Sequence, residues 1–136
     1  MDDEGHLTEE GRVAAREMGG ERGVEGFEAY HEMWAEEIDE DLAKIFTDFT
    51  MNGMYARRVL PVATRQLCAV AALTVLQRED QLAQHMRVAL RTNPPELVRE
   101  VVVQMAMYGG FPAMLTATKI LRQVIAESDS APVTSE

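Results

Sequence analysis

Apolar residues return at intervals of three and four from about Leu7 to about Glu127, the spacing that gathers side chains on one face of an α-helix. No stretch of strict alternation interrupts them, so the pattern predicts an all-α fold, a compact bundle of about six to seven helices. Residues 7–18 read as a first helix, stopped by Gly19 and Gly20. A second, over residues 24–38, aligns Phe27, Tyr30, Trp34 and Ile38, a stripe whose ordinary use is packing. The third, over residues 41–55, is expected to bury Leu42, Ile45, Phe46 and Phe49, with a bend at Asn52 and Gly53. Pro61 suits the first turn of a fourth helix, residues 61–77, which is apolar nearly all round from Leu67 to Leu76. A helix without a polar face needs cover on most sides, and in so short a chain part of that cover is expected from a second subunit.

The fifth helix begins near Glu79 and carries His85. Asn93 is the expected cap of a sixth, which has a proline in its first turn and runs through Leu97, Val101, Met105 and Tyr108 to Gly109 and Gly110. A seventh covers residues 112–126. Residues 1–6 are expected to be a flexible tail, residues 7–126 one domain, and the polar residues 127–136 a disordered tail.

Composition narrows the function classes. With 136 residues the chain is long enough to bury one substantial core. The apolar run from Leu67 to Leu76 is too short to span a bilayer, and the opening MDDEGHLTEEG is acidic where a secretory signal is basic and then apolar. The expectation is a cytoplasmic protein without a membrane partner. The single cysteine, Cys68, cannot form an internal disulfide, and Leu67, Ala69 and Val70 around it predict a buried, inert thiol. Residues 1–50 hold 16 carboxylates against four bases, a net of −12, whereas the remainder carries +2. No basic stripe suits a phosphate backbone, so nucleic acid is not an expected partner. Only His31 and His85 lie in the expected folded region, neither at a recognised ligand spacing, so no metal and no cofactor are expected.

His85 is the residue with the most chemistry in it. In EDQLAQHMRVAL it falls one turn from Leu82 and from Ala89, on the apolar side of its helix, with Gln81 one turn before it. Such a histidine is either a hydrogen-bonded core residue or a group that takes and returns a proton near neutral pH, and the pattern leaves both readings open.

QLAQHMRVALRTN followed by PPELVREVVVQMAMYGGFPAMLTATKIL resembles the carboxymuconolactone decarboxylase family, whose domain is similar to that of the alkylhydroperoxidase D group. The matching residues are His85, Tyr108, Gly109, Gly110, Phe111 and Pro112. Upstream, LTEEGRVAAREMGG and MNGMYARRVLPVATRQLCAVAAL extend the likeness over most of residues 7–126. The resemblance implies an all-helical, alkylhydroperoxidase D-like fold and a homo-oligomer, a trimer or hexamer. Peroxidase members carry a CxxC pair before the histidine and a glutamate on the preceding helix. This chain has Arg78 and Gln81, and Gln66, at those places, which excludes thiol-based peroxidase chemistry. Just ahead of the histidine, where decarboxylase members tend to be acidic, stand Glu79, Asp80 and the neutral Gln81.

The resemblance therefore implies a cofactor-independent enzyme acting on a small cyclic or unsaturated carboxylic or keto acid, by decarboxylation or a related cyclisation or isomerisation. The alternative is a non-catalytic small-ligand binder on the same scaffold, favoured by the neutral Gln66 and Gln81. Decarboxylation needs a site that binds the carboxylate, a place for the enolate charge and an acid to protonate carbon. His85 is the proton-transfer candidate, with Gln66 and Gln81 to fix its tautomer or donate to an enolate oxygen, and Tyr108 is either a further catalytic candidate or a hydroxyl capping the Gly-Gly turn. Among Arg57, Arg58 and Arg65, each able to form a bidentate pair with a carboxylate, Arg65 is preferred for its place beside Gln66. Trp34, Phe49 and Met54 are candidates for an apolar pocket wall, although core packing comes first for such side chains.

Overall fold

Thr8 starts the first helix by accepting a hydrogen bond from Gly11 N through its side chain, satisfying one of the free N–H groups of a helix start. The computed structural model describes residues 5–130, and every regular element among them is a helix. Their contacts gather into two compact units that divide between Arg65 and Gln66.

In the first unit, α1 (Glu9–Glu37) consists of two helical segments joined at a kink, in keeping with the two helices expected there. Gly19 and Gly20 depart from helical geometry, Gly20 at φ 64°, a left-handed value that a side chain would resist. The break foreseen at this pair is therefore present, but helix resumes at once. Helix α2 (Glu40–Phe49) is capped by the Asp39 carboxylate, which accepts from Asp41 N and Leu42 N. It continues into a π-helical turn (Thr50–Met54) at the expected bend. Helices α1 and α2 pack together; α1 buries Gly11, Ala14, Ala15, Met18 and His31, and α2 buries the small Ala43 and Thr47.

This packing overturns one expectation. Leu42, Ile45, Phe46 and Phe49 are exposed, Phe49 at 68%. The helix has two candidate faces, and α1 takes the narrow one of Ala43 and Thr47, leaving the bulky stripe outward. His6 also departs from its expected place in a flexible tail. Both oxygens of Glu28 accept from His6 N, Leu7 is buried, and Thr8 N donates to Asn52 Oδ1.

Helix α3 (Val62–Leu76) leads into the second unit. There α4 (Glu79–Thr92), α5 (Pro95–Gln104) and α7 (Phe111–Ser130) pack on one another around Val70, Leu82, Met86, Val98, Val102 and Leu121. The one polar residue inside the apolar run of α3, Thr74, is buried and donates its hydroxyl to Val70 O. The short α6 (Ala106–Gly109) separates from α5 at Met105, so the expected sixth helix is two. Asn93 does not cap α5: it ends α4, its Nδ2 donating to Ala89 O, and Pro94 begins α5 without a side-chain bond. Helix α7 continues four residues beyond the expected end at residue 126; residues 131–136 of the expected tail lie outside the described residues.

Cys68 is exposed, not buried. With Ala72 and Leu76 it forms an i, i+4, i+8 stripe of α3 that is open in the single chain. The expectation failed because a helix apolar all round gives no hint of which side its own chain will cover. Among the described residues, no helix is long and apolar enough to cross a membrane.

Candidate functional site

Helix α4 sorts its residues cleanly. Leu82, Met86 and Ala89 are buried at 1% exposure or less, while Gln81, Gln84 and Arg87 are exposed. His85 lies at the seam between the two sides and is half-buried, a position from which an imidazole can be held by the fold and still be reached. Its Nδ1 lies 3.0 Å from Oε1 of Gln66, which is almost wholly buried on α3. With the amide oxygen facing the ring, Nδ1 is the N–H donor and Nε2 carries the lone pair. Burial lowers the pKa of His85 below the ordinary histidine value, so the neutral imidazole dominates at neutral pH.

A glutamine here differs from a glutamate in its consequence. A carboxylate beside Nδ1 would favour the imidazolium, whereas the neutral amide fixes the tautomer without adding a charge to stabilise it. The ring is thus set to accept a proton at Nε2 and to return it readily. Glu79 and Asp80 lie in the first turn of α4 and are exposed, where their charge suits the helix dipole.

The second unit therefore brings His85 and Gln66 together. Gln81 sits one turn before His85 on an exposed part of α4, and Tyr108 on α6 is 69% exposed. The remaining candidates belong to the first unit. Trp34 is half-buried, stacked with Tyr30 at 5.7 Å and edge-on to Phe46 at 5.8 Å, an aromatic cluster that accounts for it as packing. Phe49 and Met54 are exposed. Arg58 forms an ion pair with Glu17. Arg65 is partly buried: Nη2 donates to Arg57 O at 3.3 Å, while Nε is buried without a partner among the described residues. Of the arginines weighed for carboxylate binding, Arg65 thus retains an unused donor, and Arg58 is committed elsewhere.

Sequence reasoning missed a second histidine cluster. His31 is buried with Nδ1 2.7 Å from Thr47 Oγ1, and His6 stacks on it with ring centroids 3.5 Å apart. Positions 6, 31 and 47 share no local periodicity, so only the packed chain could reveal them. Among the described residues, no three His, Cys, Asp or Glu side chains come together as a metal-ligating group.

The family model for the carboxymuconolactone decarboxylase family matches residues 40–123. The chain is 27% identical over 97 residues to the 4-carboxymuconolactone decarboxylase of Acinetobacter baylyi, covering 71% of this chain and 72% of that protein. It is 35% identical over 95 residues to an uncharacterized 15.0 kDa protein of Paracoccus denitrificans from the nqo9-nqo10 intergenic region, covering 68% of each. The matched region contains α2 to α6, most of α7, and both His85 and Gln66. The chain belongs to the carboxymuconolactone decarboxylase family.

Proposed function

We propose that this protein is a decarboxylase-like enzyme in which His85 moves a proton on a small cyclic or unsaturated carboxylic or keto acid. The observation that carries the reading is the 3.0 Å contact between His85 Nδ1 and Gln66 Oε1, which orients a neutral, half-buried imidazole with Nε2 as its basic atom. In an isomerisation, Nε2 takes a proton from a carbon next to a carbonyl, the electron pair passes to the carbonyl oxygen as an enolate, and the imidazolium returns the proton to a different carbon. In a decarboxylation, the bond to the carboxylate carbon breaks, carbon dioxide leaves, and the pair enters the same enolate. His85, having first gained a proton from solvent, then protonates carbon. Arg65 serves as the carboxylate-binding cation in this scheme. Gln66 acts through His85 and is a positioning residue.

The relative in Acinetobacter baylyi supplies the first substrate to try, because its name specifies decarboxylation of 4-carboxymuconolactone. Release of carbon dioxide from that lactone, and loss of the release in His85→Gln, are the expected results. Binding of the lactone with no turnover would replace the enzyme by a small-ligand binder on the same scaffold. The working form in this proposal is a homo-oligomer, supported by the exposed apolar stripes of α2 and α3 and by Met107, Phe111 and Leu115, each at least 60% exposed.

A further inference from the structure

We propose that the stacked His6–His31 pair is a proton-operated latch: it holds residues 5–8 against α1 and the π-helical turn while at most one ring is charged, and releases them when both are. The rings are nearly parallel, 7° apart, with centroids at 3.5 Å. Two neutral rings, or one neutral and one charged, stack favourably at this separation, whereas two imidazolium ions repel. His6 already has a partner for one proton, since its Nε2 donates to Glu32 Oε1 at 2.6 Å. Among the described residues, His31 has the Thr47 hydroxyl at Nδ1 as its hydrogen-bond partner and is 6% exposed, so a charge there is both desolvated and opposed by His6.

Charged groups of both packed helices face the pair. From α1, Glu28 and Glu32 favour protonation, but both oxygens of Glu28 accept backbone N–H groups of residues 6 and 7, and Glu32 is taken by His6. From α2, Asp48 also favours it but is engaged by Lys44 and Asn52; Lys44 opposes it, and Glu40 and Asp41 stand at the rim of the same cleft. Burial, then His6, outweigh the carboxylates, and the pKa of His31 lies below the ordinary value. Residues 5–8 hang on the bonds that the pair protects: Leu7 N to Glu28 Oε1, Thr8 N to Asn52 Oδ1, and Asn52 Nδ2 to His6 O. Opening would therefore expose the buried Leu7 and loosen the start of α1 at its Thr8 cap.

Amide hydrogen exchange at Leu7 and Thr8, corrected for the intrinsic effect of pH, reads the latch directly in the intact chain. Between about pH 7.5 and about pH 5.5, the range in which histidines titrate, protection should fall by about tenfold or more. His6→Phe retains a ring to stack on His31 and cannot carry the second proton, so its protection should persist across that range. His6 is exposed, and the substitution leaves the buried His31–Thr47 contact in place. Equal losses in the two proteins, or no loss in the unsubstituted one, would overturn the proposal. So would a variant unprotected at every pH, because the segment would then hang on the His6–Glu32 bond and not on the charge state of the stack.

Discussion

His85 shows how a single position on a helix divides packing from chemistry. Its neighbours Leu82, Met86 and Ala89 enter the core, and the imidazole stops at the edge with Gln66 on one nitrogen. His85→Gln preserves hydrogen bonding and volume but removes proton transfer, so turnover should fall by about 10² to 10⁴ with little change in melting temperature. Normal turnover per folded molecule would return His85 to a packing role. The pH dependence follows from the depressed pKa. The folded state prefers the neutral ring, so this group's contribution to stability is present above the ordinary histidine value of about 6.5 and is lost as pH falls from there through the lower folded value. A base role predicts that kcat/KM falls over the same acidic interval, and an acid role the opposite; a pH profile of the unsubstituted protein separates them.

At the scale of the element, legibility depended on how many faces a helix offered. Helix α4 has one apolar side, and its periodicity identified both the buried residues and the position of His85. Helix α2 has a bulky stripe and a small one, and the small one, Ala43 and Thr47, was chosen by α1. The approach of α6 to α3 is equally specific. A Cβ at Gly109 would lie 3.2 Å from both Cα and Cγ2 of Val75, and the first of these is backbone, which cannot move aside by a rotamer change. Gly109→Ala should therefore destabilise the protein by about 1–3 kcal/mol, the usual cost of overpacking, measured by denaturant titration. A neutral or stabilising result would mean that α6 can shift away without loss.

For the whole molecule, exposed apolar area is the feature that asks for a partner. Phe49, Met107, Tyr108 and Phe111 are each more than two-thirds exposed, more large apolar surface than scattered single residues ordinarily present. Sedimentation at micromolar concentration should give a mass that is a multiple of the 15.2 kDa chain. If the second copy covers α3, Cys68 should resist thiol reagents in the assembled protein and react when dilution separates the copies. A stable monomer with an open Cys68 would contradict both expectations.

The sequence by itself determined the helical class, most helix positions and the pairing of His85 with a core-facing side of α4, because each follows from the 3.6-residue period and from local capping. The family could also be read from it, since PPELVREVVVQMAMYGGFP and the histidine helix keep their order and spacing along the chain. Only the tertiary structure decided that α2 buries alanine and threonine in place of phenylalanine, that Cys68 faces outward, that Asn93 closes α4, and that His6 stacks on His31. These outcomes depend on which face a neighbouring element covers or which distant side chain meets another. Contacts between positions as far apart as 6, 31 and 47 leave no periodic trace in the order of the residues; they exist only once the chain has paid the entropy of folding.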